Sequence, residues 1–293
     1  MTDPGPLRRV WLRLEWRHAA PVVGAALAFG VLFWRPMTTL VRDWWSDPDA
    51  GHGLLLAPLA LVLAWRARRA PADPRPVLGV LVVLGAVLLR YVSDLAAELY
   101  TMRMSLLIAA AGLVLFWRGL PQLKRLWLPA VLLAFSVPLP QVVIGTLALP
   151  LQLKASQLGA ALLASRDVPV SLAGNVIHLP QQSLFVTEAC SGLRSLTALL
   201  AIGLLIGGLW LRSPVGRAAL LIAAIPVAML LNGLRIFLTG FLVYFVDPAL
   251  GKGVMHYSEG WVIFVLAFLI LGALAWLTAR LERLGRRPAA VLA

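Results

Sequence analysis

The sequence predicts an all-α polytopic membrane protein of about eight spans, with a small extracytoplasmic β meander before a cysteine-bearing helix. Three observations predict it. Long apolar runs recur along 293 residues that are 60% hydrophobic and only 13% charged. The charges between those runs are mostly arginines clustered in alternate short loops. One stretch, 168–187, abandons long apolar runs for short alternating and β-branched ones.

Taken in order, the expected spans run roughly Ala19–Trp34, Gly53–Trp65, Val77–Tyr91, Met104–Trp117, Leu126–Leu139, Cys190–Leu211, Ala218–Phe245 and Tyr257–Leu277. The second and fifth are short of the ~20 residues a span needs and must borrow flanking residues. The first follows a basic tail but lacks a small-residue cleavage site, so it is read as a retained helix.

Lys and Arg set the orientation. Arg8, Arg9, Arg13 and Arg17 in the tail, Arg66, Arg68, Arg69 and Arg75, then Arg118, Lys124 and Arg125, then Arg212 and Arg217, and finally Arg280, Arg283, Arg286 and Arg287 all fall on one side. That is 17 of the 26 basic residues, against four acids: Asp3, Glu15, Asp73 and Glu282. The positive-inside rule puts this side, and both termini, in the cytoplasm. The net charge of +13 is thus a topology signal, and nucleic acid is not an expected partner. The expected partner is the lipid bilayer. The whole chain, 1–293, reads as one integral membrane domain, with 138–189 as an extracytoplasmic insert of interfacial helix plus β meander.

Along the chain, Trp44 and Trp45 fit an interfacial belt. His52 stands where the second span begins, a place for a solvated or capping residue. Residues 138–165 are apolar, but Gln152, Lys154, Gln157 and several prolines argue against a lipid-facing span. A helix or helix pair lying in the outer interface fits better and leaves the charge rule intact. VPVSLAG, NVIHLP and SLFVTE then read as a three-stranded meander with turns at Gly174-Asn175 and Pro180-Gln181-Gln182. His178, alternating with apolar neighbours, is structural in that reading.

The meander delivers the chain to Cys190, the only cysteine, in LFVTEACSGLRS. The ordinary reading of a lone cysteine in an apolar protein is a small packing residue. Here Glu188 leads in and a long apolar run follows, which sets Cys190 at or near a helix N-terminus, where exposed N–H groups and the dipole favour a thiolate. Arg194 lies four residues on, one turn away on the same face. A second unusual segment is NGLRI, with Asn232 and Arg235 at i and i+3 deep in an apolar run. An arginine there costs at least ~2.5 kcal/mol near a bilayer centre, so it faces a partner or a polar cavity. The third segment is HYSEGW, where His256 opens the last span; seen alone, it is as easily a capping residue.

The expected topology puts Cys190, Arg235 and His256, from three helices, at the outer side. A thiol, an imidazole and a guanidinium form an acyl-transfer set: the thiolate attacks a carbonyl, the imidazole moves protons, and the guanidinium stabilises the oxyanion. Asn232 orients Arg235 or supplies a second donor. One cysteine excludes an internal disulfide and a cysteine metal cluster. No HExxH, Walker or Rossmann pattern occurs, so no cofactor or metal is expected.

On EACSGLRSL (Glu188–Leu196), NGLRI (Asn232–Ile236), HYSEGW (His256–Trp261), GNVIHLP (Gly174–Pro180) and GHGLLLAPLALVLAW (Gly51–Trp65), the chain resembles the exosortase/archaeosortase family of membrane transpeptidase-like cysteine enzymes. Ala50-Gly51 departs from the tyrosine-serine usual before the N-terminal His. The resemblance implies a Cys190–Arg235–His256 set, with Asn232, Arg194, Glu188 and His52 as supporting residues. It implies an inner-membrane enzyme with a periplasmic site. Its substrates would be exported proteins carrying a C-terminal sorting tail: a Pro-Glu-Pro-like motif, an apolar helix and a basic end, linked to exopolysaccharide or biofilm systems. Two readings compete: a non-enzymatic subunit of polysaccharide assembly or export, and an intramembrane protease that only hydrolyses.

Overall fold

Among the described residues the apolar runs form eleven helices and one small sheet. The computed structural model describes residues 20, 22–47, 50–67, 71–186, 193–248 and 254–284, with backbone alone at 141, 193–195 and 254–261. The helices are α1 (Val22–Leu32), α2 (Trp34–Ser46), α3 (Gly53–Arg66), α4 (Pro76–Leu95), α5 (Leu99–Trp117), α6 (Leu120–Arg125), α7 (Trp127–Phe135), α8 (Gln141–Ala164), α9 (Leu193–Trp210), α10 (Pro214–Phe245) and α11 (Val254–Leu284). They group into two compact units, one built from 1–51 and 71–123, the other from 52–70 and 124–293.

In the first unit α4 and α5 form an antiparallel hairpin. Pro76 starts α4 at a position where its missing N–H costs nothing. Glu98 starts α5: its carboxylate accepts from the amides of Tyr100 (3.0 Å) and Thr101 (2.7 Å), two of the donors a helix start leaves unmet. The hairpin closes on glycine. A Cβ at Gly79 would stand 2.6 Å from the Phe116 amide nitrogen, and one at Gly112 2.8 Å from Val83 Cγ2. Such close backbone approach is how helices gain packing contact where water supplies no driving force. α1 and α2 meet at Phe33 with a 62° bend, and buried Phe33 packs against Ala86 and Ala109. α2 is tied to α5 by Arg103, 2% exposed, which donates to Asp43 Oδ2 (2.6 Å) and the Thr39 carbonyl (3.2 Å).

The second unit has two packed clusters around α10. On one side α9 and α11 enclose Leu199, Leu220, Ala224, Ala228, Leu231, Ala267 and Leu271. On the other, α8 lies along α10 through small residues. A Cβ at Gly233 would meet Leu158 at 2.3 Å, and one at Gly240 would meet Leu163 at 2.7 Å, so these two helices run parallel here. α3 and α7 pack against α9 through Leu56, Ala60, Leu128, Leu132, Ala201 and Leu204. The antiparallel meander, β1 (Ser171–Ala173), β2 (Val176–His178) and β3 (Ser183–Phe185), has the expected order and turns. Gly174, at φ +63, makes its first turn possible. Ile177 is fully buried against Val168, Val186, Ile236 and Val243, which seats the sheet on the ends of α8 and α10. His178 is exposed and its Nδ1 meets Ser183 Oγ at 2.8 Å across the pair, a structural role.

The membrane reading holds; the exact count of eight is not confirmed. Among the described residues five helices are long and apolar enough to cross, or six if α1 and α2 form one bent span. The expected second and fifth spans are short, as is the described part of the sixth, Leu196–Trp210, and α8 joins the candidates. α3 has 14 residues and α7 only 9, about 21 and 14 Å, against ~30 Å of hydrocarbon. Leu126–Leu139 breaks at Ser136, ahead of Pro138 and Pro140. Helix continues well past Trp34, the expected end of the first span, because α2 stays helical to Ser46. Residues 141–164 form one unbroken helix, and 142–164 pass the length and apolarity test for a span. Gln152, which argued against a lipid-facing span, is buried, as is Ser156, whose hydroxyl donates to the Gln152 carbonyl at 2.8 Å; Lys154 and Gln157 are exposed.

Two outcomes follow. Gly79→Ala forces the α4–α5 hairpin apart and should cost about 1–3 kcal/mol. Gly85→Ala in the same helix meets nothing within 4 Å and should be neutral or stabilise by up to ~1 kcal/mol. Thermal melting of the purified variants checks both. Burial pushes the Glu98 carboxyl up, but bonds from the Thr101 hydroxyl and amide and the Tyr100 amide, with the Arg103 charge, outweigh it and hold the pKa below the ordinary 4.5. A lowered folded pKa gives stability that is present above the unfolded value and lost as pH falls through the folded one. Glu98→Gln should therefore lower the melting temperature at pH 7, by the ~0.5–2 kcal/mol of a lost cap. The gap to wild type should close as pH drops below about 4.5.

Candidate active site

Asn232 and Arg235 are brought together by helix geometry alone: three residues apart on α10, they lie on one face. Tertiary packing then gives that face something to look at. Together with Leu199 of α9 and Ile263, Phe264 and Ala267 of α11, they line a cavity of about 10 Å³, room for roughly one water. Asn232 is 4% exposed and Arg235 half-buried. The neighbouring face of α10, with Gly233, Ile236 and Gly240, lies about 100° around the helix and is the one that meets α8. α10 thus turns its polar pair toward the three-helix cavity and its small residues toward α8.

Cys190 and Glu188 lie outside the described residues. The helix that follows them begins at Leu193, so Leu199, the α9 wall of the cavity, is nine residues beyond Cys190. Arg194 is in the first turn of α9. It is seven residues from Ala201, on the helical stripe that packs against α3 and α7, and five from Leu199, about 140° away around the helix. His256 lies in the first turn of α11, seven residues before Ile263, and therefore on the stripe of Ile263 and Ala267 about 10 Å further along the axis. The backbone thus gives Arg235 and His256 positions on the same side of the α9–α10–α11 cluster.

His52 does more than meet water. At the head of α3 its Nε2 lies 3.0 Å from the carbonyl of Phe135, in the last turn of α7. A carbonyl only accepts, so Nε2 carries the proton, and the bond satisfies one of the carbonyls a helix end leaves unpaired. Leu132, about one turn back along α7, packs with Ala201 and Leu204, two residues and five residues past Leu199. His52 therefore stands near the height of the Asn232–Arg235 cavity, within roughly one or two turns along the bundle.

The signal for the cavity's apolar walls was not readable in advance. Leu199, Ile263 and Phe264 are three of many apolar residues in long runs, and only the packing of α9 and α11 on α10 singles them out. Among the described residues, no three His, Cys, Asp or Glu side chains gather as a metal site would require.

The family model described as transmembrane exosortase matches residues 44–273, a stretch that includes every one of these positions. No curated protein and no solved structure matches the chain.

Asn232→Ala, which empties a 4%-exposed polar position, should cost about 1–3 kcal/mol, measured by thermal melting in matched detergent.

Proposed function

The chain belongs to the transmembrane exosortase family, and from that premise we propose that it is a membrane-embedded cysteine transpeptidase or protease. It acts on exported proteins that carry a C-terminal sorting tail. The observation that carries the proposal is the family match over 44–273, read with the polar pair Asn232–Arg235 turned into a cavity among α9, α10 and α11.

The chemistry runs through a thioester. The Cys190 thiolate adds to the scissile carbonyl, and the oxygen takes up the negative charge beside the Arg235 guanidinium. His256 gives its proton to the leaving amine as the carbon–nitrogen bond breaks. Water or an acceptor amine then attacks the acyl-cysteine, and His256 takes the proton back. Asn232 orients Arg235, while Glu188, Arg194 and His52 support the site. The enzyme lies in the bacterial inner membrane with both termini in the cytoplasm and the site on the periplasmic side, as the arginine distribution favours. The chain works as one membrane domain. Residues 168–189, with the β meander, form its extracytoplasmic part, and α8, which runs along α10, leads the chain to them. A substrate with an apolar anchor reaches such a site by lateral diffusion, and its basic end stays on the arginine-rich side. The processing serves exopolysaccharide or biofilm systems.

The test is processing of a co-expressed tailed substrate, followed by gel shift and intact mass, at matched membrane levels of enzyme. Cys190→Ala and Cys190→Ser should both reduce the cleaved form to background, and the mass of the wild-type product identifies water or an amine as the acceptor. Full processing by Cys190→Ala would sink the cysteine mechanism and leave the non-enzymatic assembly subunit in its place.

A further inference from the structure

The arginine-rich end of the second unit carries a cavity that the proposed chemistry does not use. It has a volume of about 340 Å³ and is lined by Trp210, Arg212, Ala279, Glu282 and Arg283. That places it within the size range of ligand pockets, about 300–1,000 Å³. A second cavity of about 330 Å³ adjoins it, sharing Trp210, Ala279 and Arg283 and adding Trp276. The pair sits where α9 ends and α11 completes its last turns, about three turns along α9 and α11 from Leu199 and Ala267 of the cavity described above.

Its charges are unbalanced. Glu282 is the only acid lining it, and its two oxygens are already engaged: Oε2 accepts from the Arg212 amide (3.0 Å) and Oε1 from the Ser213 amide (3.1 Å), at the start of α10. Arg217 is also committed, donating Nε and Nη2 to the Leu211 carbonyl (3.0 and 2.8 Å) and lying 4.7 Å from the Trp127 ring centre. Arg212 and Arg283 are exposed, and among the described residues no carboxylate pairs with either guanidinium. Arg280 is held 4.3 Å over the Trp276 ring, one turn before Arg283. Arg283 donates Nε to the Ala279 carbonyl (3.3 Å), which leaves its Nη atoms and the Arg212 guanidinium to face a phosphate's oxygens.

The adjoining cavity has the opposite character. Trp210 and Trp276, 56% and 49% exposed, form its aromatic walls. Tryptophans of this kind sit at the headgroup level of a bilayer. A site that is cationic at one end and aromatic at the other fits a ligand with the same two parts. We propose that these cavities bind an anionic phospholipid, its phosphate between Arg212 and Arg283 and the glycerol and upper acyl chains along Trp210 and Trp276. The amphipathic lining favours a lipid over a free phosphate, which would use only the first cavity. The basic end of a sorting tail would be repelled from it. The site would bind the lipid of the leaflet that faces the arginine-rich loops and hold α9 and α11 together at that end.

The test uses the full-length protein in nanodiscs and does not depend on the cysteine chemistry. Wild type in phosphatidylcholine discs containing phosphatidylglycerol should melt higher than in phosphatidylcholine alone, and native mass spectrometry should show retained phosphatidylglycerol. Arg212→Gln/Arg283→Gln should weaken that retention roughly thirtyfold, the effect of two basic side chains at a membrane surface, and abolish the melting shift. Trp210→Ala should also weaken retention. Arg66→Gln/Lys124→Gln, with the same charge loss elsewhere in the unit, should lose several-fold less retention than Arg212→Gln/Arg283→Gln, because it removes only the diffuse attraction of the surface. If the double variant does not fold, the single variants carry the test, each expected to lose about fivefold. Equal retention by wild type and the Arg212/Arg283 variants would overturn the site. So would a melting shift produced in phosphatidylcholine discs by millimolar inorganic phosphate, since that would assign the cavity to a soluble anion.

Discussion

A permanently charged guanidinium inside a long apolar helix is the constraint on which the second unit depends. Arg235 cannot deprotonate, so burial in lipid would cost it several kcal/mol however the helix tilts. The helix must therefore present that residue to something other than acyl chains. α10 does so by dividing its surface. Gly233 and Gly240 let α8 press on one face, and the neighbouring face, with Asn232 and Arg235, turns toward α9 and α11. The small cavity there is the result of that division. Without the glycines, α8 would stand off and the unit would lose the packing that fixes the rotation of α10.

The remaining polar side chains in the membrane-embedded helices are used mainly at helix ends, where backbone groups lack partners. Glu98 meets the first amides of α5, Ser213 meets those of α10, Glu282 reaches across to the chain entering α10, and His52 serves the end of α7. In a bilayer an unmet backbone group costs several kcal/mol, so these side chains are fixed by need as much as by any role in chemistry. Arg103 in the first unit follows the same logic with a buried charge, spread over Asp43 and the Thr39 carbonyl. His52 illustrates the consequence for function: its bond to Phe135 gives it a structural task, while its height along the bundle keeps it near the proposed site.

Much of this architecture is legible in residue patterns, and the exceptions have physical causes. The β meander was readable because strand and turn signals are local: Gly174-Asn175 can turn in two residues, and Ile177 alternates with its neighbours. Asn232 and Arg235 stand out because a charge in an apolar run is expensive wherever it occurs. Leu126–Leu139 is apolar enough to suggest a span, but hydropathy counts apolar residues without regard to backbone, and the helix there ends at Phe135. Gln152 weighs against a lipid-facing span, yet the helix holds it buried. Its composition is polar, but a packed helix can turn a single polar face to protein.

The sequence by itself determined that this is a membrane protein, where its meander lies, which polar residues are costly, and to which family it belongs. These follow from short-range chemistry: transfer free energies, backbone preferences and motif spacing. Only the tertiary structure decided which helices are long enough to cross, that α8 lies along α10, and that Leu199, Ile263 and Phe264 wall a cavity beside Arg235. It also decided that Trp210 and Trp276 share a groove with Arg212 and Arg283. Those outcomes rest on which small residues allow two backbones to meet and on how each helix is rotated about its axis. No single segment carries that information, because it is set by the neighbours a helix finds.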